Sequence, residues 1–304
     1  MASDKPYKPA LIIVDFQEDF CPPVSIFSVA CEHGEMRWEW LQAKLRGYPA
    51  GMLQIHEDAK RSACVMYSLN TRGVGGHVSQ LEPLAMRPSC WYKCTKPRLL
   101  CGSLAVPSGR TIASPINHLT TLPFPLILAT KDFHPPSHIS FASNHASSTP
   151  YTSTTTIQHP KDPSQSYETT LWPTHCVQGT PGCELVPELD VSRVHAVIEK
   201  GQDERVEMYS AFYDPFRVSD SGLAGMLSEQ GVTDVFVVGL AADFCVKATA
   251  EDALKEGYTT WIVSEGTKPV MLDKWEECKK GMEDKGIKFT SIDGDAVARV
   301  KTYA

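Results

Sequence analysis

The chain has 304 residues, 42% of them hydrophobic and 21% charged, a globular balance with enough apolar surface for a sizeable core. Its net charge of −7 argues against a general nucleic-acid or polyanion binder. No apolar run reaches the length of a membrane span and Met1–Pro6 is no signal-peptide core, so the expectation is a soluble cytoplasmic protein, nucleus or peroxisome staying open, with mostly reduced cysteines.

Ala10–Asp15 is an apolar run closed by an acid and reads as a central parallel strand. Residues 24–101 then break the pattern. They carry ten Lys/Arg against six Asp/Glu, five of the ten cysteines and three of the six tryptophans, with no sustained period beyond a weak helical hint at Trp38–Leu45. Such a segment has no evident way to bury its own apolar surface. It reads as an irregular insertion in a single domain spanning 1–304, either a genuine one or translated non-coding sequence such as a retained intron. Pro125–Asp132 repeats the strand-plus-acid pattern. Ser143–Thr170, rich in Ser and Thr, with three prolines and no period, predicts a long surface loop.

His195–Lys200 is a third strand, ending in a lysine, and Val235–Gly239, Thr259–Ser264 and Ile287–Ile292 supply three more. Ser219–Gln230, Asp243–Glu256 and Asp273–Lys285 have helical spacing and stop near Gly231, Gly257 and Gly286. This alternation predicts an α/β fold with a mostly parallel sheet covered on both faces. Right-handed crossovers bring every strand's carboxyl end to one rim. Asp15, Asp132, Lys200 and the turn before Cys245 all come from that rim.

Cys245 falls at the first turn of a helix just after a strand, where free N–H groups and the helix dipole favour thiolate. Asp15, taken alone, is a helix cap or a base; a carboxylate beside the cysteine and Lys200 can run nucleophilic acyl transfer, taking the thiol proton and returning it to a leaving amine. In the extended Asp132-Phe133-His134, alternate side chains share one side and can share one ion. His175 can complete the set, with His138, His145 and Cys176 as competing ligands.

Ile12-Ile-Val-Asp15-Phe-Gln-Glu-Asp19-Phe20-Cys-Pro, Ala129-Thr-Lys-Asp132-Phe-His134-Pro, Leu171-Trp172-Pro-Thr-His175-Cys-Val, Ile198-Glu-Lys200-Gly and Val238-Gly-Leu-Ala241-Ala-Asp243-Phe-Cys245-Val occur in this order. The ordered set resembles the nicotinamidase/pyrazinamidase branch of the isochorismatase-like cysteine hydrolases, and removing residues 24–101 leaves a length that suits that family. The resemblance implies a three-layer α/β/α sandwich with a six-stranded sheet, and hydrolysis of nicotinamide to nicotinate and ammonia through a cysteine thioester, in NAD salvage. It implies Cys245 as nucleophile, Asp15 as base and acid, and Lys200 as third catalytic residue. Asp132, His134 and His175 match the ligands of one divalent metal, zinc first, with iron or manganese open. Phe20 and Trp172 match the walls that sandwich the ring, and a cis Leu240–Ala241 peptide aims the Ala241 and Cys245 amides at an oxyanion. The implied partner is the small-molecule substrate alone, with no nucleic acid or membrane; assembly into homo-oligomers stays open. Rival readings are a related cysteine hydrolase of another small amide, a relative impaired by the 24–101 stretch, and a hydrolase using ion-bound water.

Overall fold

The structure, a computed structural model, describes residues 6–21, 65–66, 84–85 and 103–303. The helical hint at Trp38–Leu45 lies outside them. The chain divides into two compact units, residues 1–23 with 100–304, and residues 24–99. In the second unit, strands β2 (Val65–Met66) and β3 (Leu84–Ala85) pair antiparallel.

The first unit is built on β1 (Pro9–Val14), β4 (Leu126–Asp132), β7 (Ala196–Lys200), β8 (Asp234–Leu240), β9 (Thr259–Lys268) and β10 (Lys288–Thr290). They form one parallel sheet in the order β10-β9-β8-β1-β4-β7. β1, β4 and β8 are buried along their whole length, as expected of strands covered on both faces. Their side chains alternate between two cores. Leu11, Ile13, Ile127, Ala129, Phe236 and Val238 pack with Ile116 and Leu119 of α1 (Ala113–Thr120) and Val297 and Val300 of α5 (Asp295–Lys301). Ala10, Ile12, Val14, Leu128, Val235 and Val237 face the other way. There they meet Leu223 and Leu227 of α2 (Leu223–Glu229), Val246 and Ala250 of α3 (Cys245–Lys255) and Met282 of α4 (Trp275–Asp284). The three-layer sandwich follows from this period-2 partition.

Where the chain crosses close to its neighbours, only glycine fits. Gly239 has φ +112, and a Cβ there would collide with the backbone of Val14 on the adjoining strand.

The loop expected over Ser143–Thr170 is corrected in its second half. Thr154–His159 (β5) and Asp162–Thr170 (β6) form an antiparallel hairpin of their own. Its β-branched threonines favour extended backbone. Both of its faces are largely exposed, with Ile157 and Thr169 the buried positions, so no apolar alternation marks it in the sequence.

The chain on either side of residues 22–102 is tied together. Ser103 N–H donates to Asp19 Oδ1 (3.2 Å), Leu104 N–H to the Asp19 carbonyl (3.1 Å) and Val106 N–H to the Phe20 carbonyl (2.9 Å). The strand-to-helix connection leading from Asp15 to α1 therefore closes on itself within the described residues.

Candidate active site and metal centre

Asp15 lies one residue past β1, with φ +46, so the chain turns off the sheet there. Its carboxylate is fully buried; Oδ1 accepts from Thr130 Oγ1 (2.6 Å), and Oδ2 lies 2.9 Å from Lys200 Nζ. It caps no helix. Lys200, the last residue of β7, is equally buried. Its ammonium also reaches Asp132 Oδ1 (2.5 Å), the Met208 carbonyl (3.1 Å) and Cys245 Sγ (3.7 Å). One lysine thus touches the base, the nucleophile and the first candidate metal ligand.

Burial pushes the Asp15 carboxyl up to about 6, against the opposing pull of Lys200. Burial also drives the Cys245 thiol well above its ordinary value; Lys200 lowers it, and the Asp15 and Asp132 carboxylates raise it further. Cys245 does start α3, as its setting in the sequence predicts. At rest, desolvation outweighs the helix terminus. The site holds a thiol beside a carboxylate able to take its proton.

Asp132, His134 and His175 bring one donor atom each within 4.8 Å of one another. His134 Nδ1–H donates to the Gly201 carbonyl (2.7 Å) and His175 Nδ1–H to the Pro173 carbonyl (2.8 Å), which leaves both Nε2 lone pairs free. His134 Nε2 is buried without a hydrogen-bond partner. It lies 3.5 Å from Asp132 Oδ2, and His175 Nε2 lies 3.8 Å from the same oxygen. Tetrahedral ligation at about 2.0–2.2 Å sets donors roughly 3.4 Å apart, so the two separations from Asp132 suit a shared divalent ion. Gly201, with φ +68, brings its carbonyl up to the imidazole; a Cβ there would strike the His134 ring.

Burial would raise the Asp132 carboxyl, but Lys200, His134 and His175 hold it well below the usual carboxylate range. Burial and His134 push His175 down to about 4, which keeps it neutral and ready to ligate. The competing ligands point elsewhere. The His138 ring lies tilted against that of His134 with centroids 4.1 Å apart, and its nitrogens engage Ser140 Oγ and the Val206 carbonyl. His145 Nε2 donates to the Ile139 carbonyl, and Cys176 Sγ points to that of Gly182.

A cleft beside Cys245 is lined by Phe20, Trp172, His175, Tyr209, Ala241 and Phe244, with Asp132 and Glu207 at its polar end. Phe20 and Trp172, the expected walls, are both there. The Leu240–Ala241 peptide is cis, and among the described residues no acceptor takes the backbone N–H of Ala241 or Cys245. Two donors are thus available to a developing oxyanion.

Tyr209 and Glu207 were not legible in the sequence. Tyr209 Oη accepts from Trp172 Nε1 (2.7 Å) and pairs with Thr169 Oγ1 (3.1 Å), which holds the indole wall in place. Glu207 is 3% exposed, and its Oε1 accepts from the Met208 N–H (2.9 Å), next to the carbonyl that holds Lys200. Both follow β7 in irregular backbone, where no periodicity marks which side chains turn inward.

Residues 141–293 match the model of the isochorismatase domain. The chain is 41% identical over 181 residues to a nicotinamidase of Acinetobacter baylyi, covering 58% of this chain and 80% of that one. It is 42% identical over 165 residues to a nicotinamidase of Schizosaccharomyces pombe, covering 54% and 73%. The solved yeast nicotinamidase bound to the inhibitor nicotinaldehyde superposes with a TM-score of 0.64 at 26% identity, over 93% of this chain and 99% of that one. With half of its length in the domain model and relatives aligned over most of their own, the chain belongs to the isochorismatase domain family.

Proposed function

We propose that the chain is a nicotinamidase, an amidohydrolase that converts nicotinamide to nicotinate and ammonia and so serves NAD salvage. The observation that carries the reading is the meeting of Cys245, Asp15 and Lys200 with an Asp-His-His trio beside one aromatic cleft. The trio, with its nitrogen and carboxylate donors and tetrahedral spacing, suits zinc. When bound there, the ion offers a Lewis-acid anchor for a substrate heteroatom.

The residues of the chain do the rest. Phe20 and Trp172 hold the pyridine ring, and the carboxamide faces Cys245. Asp15 takes the Sγ proton as sulfur attacks the carbonyl carbon, and the oxyanion is received by the Ala241 and Cys245 N–H groups. The C–N bond breaks, Asp15 returns the proton to the departing nitrogen, and ammonia leaves a thioester. Water gives a proton to Asp15 as its oxygen attacks the thioester carbon; the C–S bond breaks, sulfur takes the proton back from Asp15, and the acid departs as nicotinate, its own proton passing to solvent. Lys200 keeps Asp15 ionised and stabilises negative charge on sulfur. A reducing compartment such as the cytoplasm keeps that thiol available.

Asp15 accepts a proton only when ionised, and its carboxyl lies at about 6. kcat/KM on nicotinamide is therefore expected to rise with pH through an acid limb near that value and to level off above it. A profile flat from about pH 5 upward would remove Asp15 from the base role.

The 1–304 chain is proposed to be one hydrolase domain interrupted at about 24–101, with the interruption dispensable, because Asp19–Phe20 and Ser103–Val106 hold each other directly. Ammonia release from nicotinamide tests both readings at once, on the full chain and on a chain lacking residues 24–101. Activity of the shortened chain is the expected result. Activity in neither protein, with zinc supplied and folding verified, would overturn the nicotinamidase reading; activity confined to the full chain would overturn the dispensability of 24–101.

A further inference from the structure

We propose that Gln17 and Asp19 are positioning residues that set the metal centre against the catalytic base. The inference rests on the metal-site reading above. β1 pairs with β4 only as far as Ile13 beside Ala129, and the chain then turns away at Asp15. Asp132, three residues further along β4, is left without a backbone partner on that side. The Gln17 carboxamide stands in for the missing strand.

Gln17 Oε1 accepts from the Asp132 N–H (2.8 Å), while Nε2 donates to the Asp132 carbonyl (2.8 Å) and to that of Cys183 (2.8 Å). The side chain is fully buried, so each of these groups would lose its partner without finding water. Two residues on, Asp19 Oδ2 accepts from the Cys176 N–H (2.8 Å), where Cys176 takes φ +45 immediately after His175. Its Oδ1 accepts from Ser103 N–H.

The alternate residues Asp15, Gln17 and Asp19 thus address three parts of one centre. Asp15 serves the nucleophile, Gln17 grips the backbone of the first ligand, and Asp19 holds the backbone beside the third. A ligand displaced by a few tenths of an ångström still binds, but more weakly, and outer groups of this kind contribute about 10–100-fold in metal affinity. Neither Gln17 nor Asp19 touches Cys245 by any hydrogen bond, so their loss should spare the thiol.

The test compares the full chain with Gln17→Met, which keeps length and removes all three hydrogen bonds, and with Asp19→Asn, which keeps shape and loses the charge-assisted bonds. Zinc affinity is measured by competition with a chromophoric chelator, and the metal-free Cys245 is titrated with iodoacetamide. We expect zinc affinity to fall about 10–100-fold in each variant and the alkylation rate to stay within about twofold of the parent. If Gln17→Met does not fold, Asp19→Asn decides alone. Zinc affinity within about twofold of the parent, or alkylation changed as much as zinc binding, would overturn the proposal. A parent chain that binds no zinc at all would overturn the metal-site reading and this inference with it.

Discussion

Cys245→Ala should abolish ammonia release from nicotinamide while leaving nicotinamide binding measurable. The thiol starts α3 in the cleft beside the Ala241 and Cys245 amides, placed to form a covalent bond with a carbonyl held against them, and the backbone donors survive the substitution. Removal of a nucleophile typically costs on the order of 10⁴-fold or more in kcat, because the remaining groups act only through it. The change removes a single sulfur atom, so the loss of fold stability is modest even at this buried position. Steady-state ammonia release together with calorimetric titration of nicotinamide separates the two effects. Turnover retained within about tenfold would sink the nucleophile assignment and favour attack by ion-bound water.

Lys200→Met has the largest expected effect on the fold and a second large effect on activity. Lys200 is buried, with Asp15 Oδ2 at 2.9 Å and Asp132 Oδ1 at 2.5 Å. Without the ammonium, Asp15 remains in a dry site without its counter-charge, and Asp132 keeps only the flanking histidines and the ion they would hold. Breaking a buried pair from one side costs about 3–5 kcal/mol. The methionine fills the volume but cannot neutralise either acid, so Asp15 will hold its proton to higher pH and will no longer be ready as a base at neutrality. A loss of about 10³-fold in kcat/KM is expected, with the acid limb of the pH profile displaced upward. Urea unfolding and the pH profile read the two parts. An unfolding free energy within about 1 kcal/mol of the parent would mean that another cation or water serves the two acids.

Much of the site was legible because its chemistry falls at strand ends. An apolar run closed by Asp15, Asp132 or Lys200 marks both the strand and the rim residue, and the glycine-bounded helix after Val238-Gly239 places Cys245 at its start. His175 was legible only as one of several candidates. The structure chooses it through hydrogen bonds that aim each imidazole: the Pro173 carbonyl turns His175 inward, while the Ser140 hydroxyl and the Val206 carbonyl occupy His138. The hairpin β5–β6 escaped because exposed strands carry no apolar alternation.

Local sequence determined which residue types stand at the ends of β1, β4, β7 and β8, since strand, turn and helix signals act over a few residues. The order of those strands decided everything that depends on distance across the sheet. β1 lies between β8 and β4, so Asp15 meets Thr130 and Gln17 meets Asp132, each across 115 positions of chain. Burial of the assembled rim then set the charge states, holding Cys245 as a thiol and raising Asp15 to about 6. Desolvation is a property of the whole packed neighbourhood, and no short stretch of sequence carries it.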